Sequence, residues 1–579
     1  MKFIQKNILL GLLLLGHWVY GQQDSTESSY FKGGHLNVVP SSHQDIAWMD
    51  TPAECMKFRD QYMITPALER LKENPHFCFS VENALNLYEY LGKHPERLKD
   101  IIKYTTEGRL EWGATYNQPY EGLYAGEALI REAYYGKKKL EAIIPGGKFI
   151  CAWSEDVPGR SLQIPQIFSK AGIQYLQFSR FQPGLYHWYS PDGSHITCWT
   201  PGQYEESGRA IRNARTEEER TDLFKKKISA WNDYYLKRKL PPDFIYISSE
   251  DFSKPLNYDK YFEDWNHNVR YGHADLPYIQ YATGTGAIRE VSEGNGKIDS
   301  IMGEDPNLWL YIHGPTHEKA IKNERLSSKV LTAAEKFSSI AAVLKGNFKD
   351  YPQKEFDQAW QQAIYPDHGW GGVHGDITDQ IFANSYLKAV ETADSILKEK
   401  LSYIASKIRL RAEGIPIVVF NPLSWSRTDP VSVSLNTEGI YSSDFELVDA
   451  RGRQVDYQVI SSPEKGTGSY ITLTFIAREV PSIGYETYYL LPGREGDSKT
   501  LPININGNVI DSKYFKVTLG SGGILSIYDK DLQKELIRPG TFLAGEIFSM
   551  RSVGNGAGEF TQIQQPTMEG FEKMGQYRP

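Results

Sequence analysis

Three short apolar runs in the sequence each end in a cluster of acidic and polar residues. The first run passes into SSHQD (residues 41–45), the second into SED (residues 154–156) and the third into SSED (residues 248–251). His43 and Asp45 are two residues apart, so in an extended segment their side chains point in the same direction. Imidazole and carboxylate groups placed in this way suit a pair of metal ligands. The three clusters therefore indicate a metal-binding pocket.

Buried parallel strands would bring the three clusters together. Continuous apolar runs bounded by turns are typical of such strands, and in open α/β sheets ligands bind beyond the carboxyl ends of the strands. We therefore predict that His43, Asp45, Asp156 and Asp251 converge on one pocket. Acidic residues after a strand are also common as helix N-caps. That explanation suits any single cluster equally well, but three clusters, one of them with an H-x-D motif, favour a functional site.

Several other residues fall where they could reach the same pocket. Glu121, Trp153 and Arg180 lie at or after the ends of predicted strands, although each taken alone is more readily explained as structural. His368 lies in YPDHGWGG (residues 365–372), where proline and glycine interrupt a helical pattern. This histidine is a candidate for a further metal ligand, and His374 is the alternative.

The order of the predicted elements divides the chain into four parts. Residues 1–21 have the lysines and the short apolar core of a secretory signal peptide, which predicts an exported protein, periplasmic or extracellular. Residues 33–315 alternate strands and helices, which predicts an α/β domain with a mainly parallel sheet. Residues 316–410 predict a helical bundle, and residues 411–579 predict an antiparallel β-sandwich region. The predicted fold class is thus multidomain α/β + α + β.

Charge and composition exclude some classes of partner. The formal net charge is −8 and both signs are mixed along the chain, which argues against nucleic acid and anionic membranes as partners. After the signal peptide, no stretch approaches the ~18 apolar residues of a membrane span. The sequence does not predict the oligomeric state.

Five segments, in this order along the chain, resemble glycoside hydrolase family 38, the α-mannosidases. PSSHQDIAW (residues 40–48) resembles the first family motif, and WSEDVPGRS (residues 153–161) resembles the nucleophile segment. Asp251 with the following phenylalanine resembles the acid/base segment, and DHGWGG (residues 367–372) resembles the segment of the later zinc histidine. FNPLSWSR (residues 420–427) resembles a strand of the family's β-domain. Three positions depart from the family pattern: Ser41, Val157 and Arg160.

The resemblance implies a retaining, exo-acting, zinc-dependent α-mannosidase that acts on terminal α-mannosyl residues of oligosaccharides or glycans. Asp156 would be the nucleophile and Asp251 the acid/base, although spacing alone leaves Glu250 as an alternative acid. Trp48 of the first motif would contact the substrate together with the three pocket candidates above. We expect a bacterial-type exported member that is shortened at its C-terminus, with an incomplete β-region. Four residues would hold the Zn²⁺ ion: His43, Asp45, Asp156 and His368.

Two other classes of function stay open at this point. A zinc-dependent carbohydrate deacetylase also uses H-x-D ligands, but its metal activates water and its product is acetate. The helical bundle and β-sandwich that follow the α/β region argue against that class. A non-catalytic sugar-binding homologue would bind mannose without turnover, which the altered nucleophile segment would explain.

Overall fold

The computed structural model describes most of the chain between residues 30 and 547. The described ranges are 30–157, 159–272, 275–304, 317–410, 414–436, 445–461, 470–492, 504–538, 540 and 542–547. The predicted signal peptide lies outside them, as do residues 548–579 of the predicted β-region. The predicted domain boundaries therefore stay predictions.

The first half of the chain alternates strands with helices, as predicted. The helical segments include a π-helical stretch, Arg59–Ile64, and a 3₁₀ turn, Pro95–Arg97. The strands are β1 (His35–Pro40), β2 (Phe79–Val81), β3 (Leu110–Trp112), β4 (Cys151–Ser154), β5 (Tyr175–Phe178), β6 (Gly184–Tyr189), β7 (His195–Thr200), β8 (Phe244–Ser248), β9 (Tyr278–Tyr281) and β10 (Asp299–Met302). The helices are α1 (Pro52–Phe58), α2 (Thr65–Glu73), α3 (Ala84–Lys93), α4 (Leu98–Thr106), α5 (Gly126–Ile143), α6 (Ile164–Lys170), α7 (Glu205–Arg212), α8 (Glu217–Arg238), α9 (Asp259–Tyr271) and α10 (Gly284–Ser292).

These strands form three groups that are mainly parallel. Strands β8, β1 and β9 pair in parallel, as do β2 and β3. The third group has the order β10-β6-β7-β5-β4 and contains one antiparallel pair, β6 with β7. Strand β1 is buried because it lies at the centre of its sheet, and its Leu36, Val38 and Val39 have no exposed surface. Central parallel strands are covered on both faces, which explains the continuous apolar run.

Three long helices follow the α/β region. They are α11 (Glu318–Lys345), α12 (Gln353–Ala363) and α13 (Gly375–Ala405). Their buried residues include Trp360, Phe382 and Tyr386, which belong to the same apolar cluster as the α/β region. Among the described residues, no helix has the length and apolar character that crossing a membrane would require.

The last part of the chain forms antiparallel sheets, so the predicted fold class is confirmed. The strands are β11 (Ile415–Asn421), β12 (Arg427–Asn436), β13 (Phe445–Asp449), β14 (Tyr457–Ser461), β15 (Tyr470–Val480), β16 (Gly484–Pro492), β17 (Asn504–Asn506), β18 (Val509–Asp511), β19 (Phe515–Leu519), β20 (Ile524–Asp529) and β21 (Lys534–Glu535). Two three-stranded sheets, β11-β16-β13 and β12-β15-β14, share one core that contains Leu447, Leu473 and Leu490. A five-stranded sheet, β17 to β21, follows in chain order.

Candidate active site

The segments that follow β1 and β8 continue side by side beyond the ends of the strands. The His43 N–H donates to the carbonyl of Glu250 at 3.0 Å, and the Phe252 N–H donates to the carbonyl of His43 at 3.1 Å. His43 and Asp251 thus form an isolated parallel bridge. The pairing of β1 with β8 in register, from Leu36 with Phe244 onwards, leads directly to this bridge. The first and third predicted clusters therefore meet at the carboxyl edge of the sheet.

Two imidazoles and a carboxylate converge at this edge. The His368 Nε2 atom lies 2.9 Å from Asp45 Oδ1, the His43 Nε2 atom lies 3.5 Å from the same oxygen, and the two Nε2 atoms are 3.4 Å apart. All three residues are buried. Asp156 joins them, because one ligand atom each of His43, Asp156 and His368 lies within 4.8 Å of the others. The structure therefore brings the four predicted metal ligands together.

The second nitrogen of each histidine fixes which atom is free to bind a metal. The His368 Nδ1 atom lies 2.8 Å from the carbonyl oxygen of Gln118, which only accepts hydrogen bonds, so Nδ1 carries the proton. The His43 Nδ1 atom lies 2.9 Å from Glu82 Oε2 and donates to that carboxylate. In the neutral rings, both Nε2 lone pairs then face the shared space beside Asp45. Two imidazole nitrogens and two carboxylates make a donor set that fits a divalent metal ion.

The electrostatics of the cluster favour positive charge. Burial lowers the pKa of His43, but the negative charges of Glu82 and Asp45 outweigh it and hold the pKa well above its usual value. Burial alone would raise the pKa of Asp45, but the neighbouring His43 and His368 outweigh burial and lower this pKa. A space lined in this way stabilises a cation, whether a proton or a metal ion.

Asp156 is held by a charged partner and by an unusual backbone. It forms an ion pair with Arg180, and the side chains of both residues are partly exposed. Asp156 has φ 36° and Arg180 has φ 60°, in the left-handed region that residues other than glycine rarely adopt. Such conformations cost roughly 1–3 kcal/mol each and cluster at functional sites. The predicted nucleophile thus has a fixed orientation and a permanent cation beside it.

Asp251 pairs with His43 and contacts Tyr204, whereas Glu250 lies beside Arg209. The hydroxyl of Tyr204 donates to Asp251 Oδ1 at 2.7 Å, and the Tyr204 ring centre lies 5.0 Å from that of His43. Glu250 Oε1 instead lies 3.7 Å from the guanidinium of Arg209 on α7. Between the two alternatives for the acid, the geometry favours Asp251.

Two of the residues predicted to contact the substrate, Trp153 and Glu121, are buried and contact other protein groups. Trp153 is buried, and its indole N–H donates to Glu111 Oε1 at 3.1 Å, so its ring packs in the core and is not offered to a ligand. Glu121 is also buried, and its carboxylate accepts the backbone N–H of Ser161 at 2.6 Å. Its other oxygen lies 3.7 Å from Arg160. Glu121 therefore anchors the segment that follows Asp156.

The loop that carries His368 is fixed to the loop that carries Asp45. Asp367 accepts the backbone N–H of Ile46 at 2.6 Å and that of Gly369 at 2.8 Å. Trp48 is half-buried and bridges to Gly372, where a Cβ atom would lie 2.2 Å from the Trp48 carbonyl oxygen. Only glycine fits at that close approach, and its φ of 72° is also one that glycine accepts readily. The glycine-rich turn is thus needed to bring the two loops together.

The two candidate histidines lie in different surroundings. His368 is buried within the ligand cluster. His374 is exposed and lies at the start of α13, with φ 56°. His368 is therefore the histidine that lies with the other predicted ligands.

Residues that the sequence did not reveal complete the site. Glu82 follows the short strand β2 and has no exposed surface, and Gln118 donates to its carboxylate at 2.8 Å. Glu155 is also fully buried, and burial together with the charge of Glu82 raises its pKa to about 7. Glu82 directly follows a strand, as the three clusters do, so the pattern of an apolar run that ends in an acidic residue also predicts Glu82 as a candidate. Tyr204 lies in a loop without any motif.

The chain is similar to known proteins in sequence and in fold. Residues 33–274 match the N-terminal domain of glycosyl hydrolases family 38. The chain is 21% identical over 535 residues to Alpha-mannosidase 2 of Spodoptera frugiperda, covering 73% of this chain and 46% of that one. An alpha-mannosidase from Enterococcus faecalis V583 shares the fold with a TM-score of 0.70 at 16% identity, over 87% of this chain and 61% of that one.

A second solved structure supports the same fold. It is a protein in the Glycosyl Hydrolase Family 38 from Enterococcus faecalis, with a TM-score of 0.66 at 16% identity, covering 87% of this chain and 59% of that one. This chain thus spans less than half of the S. frugiperda protein and about three fifths of the two E. faecalis chains. The family match and the fold together confirm the predicted resemblance. The match over residues 33–274, together with the shared fold, supports membership of glycosyl hydrolase family 38.

Proposed function

We propose that this protein is a retaining, exo-acting, zinc-dependent α-mannosidase that removes terminal α-mannosyl residues from oligosaccharides or glycans. The observation that carries the proposal is that residues suited to bind a metal ion lie beside the two carboxylates that a glycosidase needs as nucleophile and as acid/base. His43, Asp45 and His368 lie together with Asp156, and Asp251 lies directly beside His43. The alpha-mannosidases named among the relatives support the choice of sugar.

The four ligands would hold Zn²⁺ through His43 Nε2, His368 Nε2 and the carboxylates of Asp45 and Asp156. When bound, the ion supplies a Lewis-acidic clamp for the hydroxyls of the mannose ring. The residues behind the ligands keep the site in shape. Glu82 and the Gln118 carbonyl hold each imidazole in the tautomer that leaves Nε2 free.

Asp156 would act as the nucleophile. Its carboxylate oxygen forms a bond to the anomeric carbon while the bond from that carbon to the leaving oxygen breaks, which gives a covalent glycosyl-enzyme. Arg180 beside it forms an ion pair with the carboxylate and would orient it for the attack. The left-handed backbone of both residues fixes the direction from which the carboxylate approaches.

Asp251 would act as the acid and then as the base. It gives its proton to the leaving oxygen in the first step, and it takes a proton from the attacking water in the second. Tyr204 donates to Oδ1 of Asp251, which leaves Oδ2 as the oxygen that carries the transferred proton. The two carboxyl groups of a retaining glycosidase are expected to lie ~5–5.5 Å apart.

The configuration of the first product tests the reaction. Proton NMR of 4-nitrophenyl α-mannoside with the zinc-loaded protein should show α-mannose first, because two displacements at the anomeric carbon retain its configuration. β-Mannose as the first product would contradict the role of Asp156 as nucleophile. Acetate released from acetylated sugars, without mannoside cleavage, would favour a deacetylase. Mannose binding without any turnover would indicate a sugar-binding protein.

A further inference from the structure

Three aromatic rings form a continuous row that starts next to Asp251. The Phe252 ring centre lies 4.6 Å from that of Phe58, at an interplanar angle of 78°. The Phe58 ring stacks on Tyr62, with centres 5.0 Å apart and an angle of 26°. Phe252 and Phe58 are half-buried, and Tyr62 is 42% exposed. This aromatic row therefore leads from the proposed acid/base to solvent.

The backbone on both sides of the row is unusual and tied to the site. Tyr62 lies in the π-helical segment Arg59–Ile64, directly after Phe58, and π-helical turns are rare and frequent at functional sites. The buried Arg59 of this segment donates to the carbonyl of Asp45 at 2.8 Å, which anchors the helix to the metal-ligand loop. Phe252 has φ 47°, a strained value for an aromatic residue. Both segments hold their rings at a fixed position relative to the metal ligands.

We propose that the aromatic row binds the leaving-group sugar of the substrate, so that the preferred substrates are oligosaccharides and not mannosides with small leaving groups. This inference rests on the proposed function. If the metal holds the mannosyl ring and Asp251 protonates the leaving oxygen, the next sugar lies beyond Asp251, where Phe252 begins the row. Aromatic rings offer a large, rigid apolar surface to the C–H faces of a pyranose. Lys254, whose ammonium lies 4.9 Å from the Tyr62 ring centre, supplies hydrogen-bond donors for sugar hydroxyls.

The test compares a substrate with a leaving-group sugar and one without it. Three α-mannobioses, linked 1,2, 1,3 and 1,6, and α-mannosyl fluoride are assayed with the wild type, and the mannobiose that is cleaved best is kept. In Tyr62→Ala, the ratio of kcat/KM for that mannobiose to kcat/KM for the fluoride should fall about tenfold, mainly through a higher KM. The matched control is Tyr134→Ala on α5, because Tyr134 is also 42% exposed, and its ratio should equal that of the wild type.

Several outcomes would overturn the inference. If the wild type cleaves both substrates and Tyr62→Ala has the wild-type ratio, the row does not bind the leaving group, whereas the proposed function stands. If the wild type cleaves neither, the proposed function fails, and this inference fails with it. Tyr62→Leu, which retains apolar bulk, serves if the alanine variant does not fold. Sedimentation velocity tests whether the aromatic row is instead a contact between two copies of the chain. A wild-type dimer that dissociates in Tyr62→Ala would show this and would overturn the inference.

Discussion

Asp156→Ala is expected to lower kcat/KM for aryl α-mannosides by at least about 10³-fold. The reason is that this carboxylate forms the bond to the anomeric carbon, and its neighbours do not replace it. Arg180 is a cation, and Asp251 accepts the hydroxyl of Tyr204 and has the proposed acid/base role. Steady-state kinetics at saturating zinc measure the loss, since Asp156 is also a proposed ligand.

A rescue experiment separates loss of the nucleophile from loss of the metal. Added azide should restore part of the turnover of Asp156→Ala, because the small anion can attack the anomeric carbon in the space of the missing carboxylate. The product would be a mannosyl azide of inverted configuration. Substantial activity of the folded, zinc-loaded variant without azide would rule out Asp156 as the nucleophile.

His43→Ala is expected to weaken zinc binding by more than about 100-fold. Removing a metal ligand should weaken binding more than removing a residue that only hydrogen-bonds to a ligand, which typically lowers metal affinity roughly 10–100-fold. Glu82→Gln should fall within that lower range, because Glu82 contacts His43 Nδ1 at 2.9 Å and not the metal. Competition with a chromogenic chelator measures these affinities without any assay of activity.

The matched control for this series is Glu111→Gln. Glu111 is likewise a buried carboxylate that accepts two N–H groups, those of the Trp153 indole and of Thr285, at 3.1 and 2.8 Å. The Glu111→Gln variant should bind zinc with the wild-type affinity. Wild-type affinity in His43→Ala would remove His43 from the ligand set, and equal effects of Glu82→Gln and Glu111→Gln would reduce Glu82 to a packing role.

The residues that the sequence predicted best are those at the ends of buried strands. His43, Asp45 and Asp251 follow β1 and β8, and the parallel pairing of these strands places their carboxyl ends at one edge. Apolar runs ending in acidic residues reveal such positions because strand geometry alone determines where the chain emerges. His368 is harder to predict from the sequence, since a turn and not a strand presents it.

Other features depended on packing that no local pattern records. Trp153 lies in a strand that is buried on both faces, so its sequence has no alternation of apolar and polar residues that would predict the direction of the Trp153 ring. Tyr204 reaches Asp251 only because the tertiary fold brings its loop there. The predicted mainly parallel sheet has one antiparallel pair because the loop from Ser190 to Ser194 is short, and a parallel crossover needs a dozen or more residues.

The measurement that tests the central claim most directly is the hydrolysis of 4-nitrophenyl α-mannoside by the purified wild-type protein before and after chelation. The account predicts that the protein cleaves this substrate, that removal of the metal abolishes cleavage, and that stoichiometric Zn²⁺ restores it. Circular dichroism of the metal-free protein controls for unfolding. Full activity in protein shown to be free of metal, or no activity in folded protein with one Zn²⁺ per chain, would contradict the account.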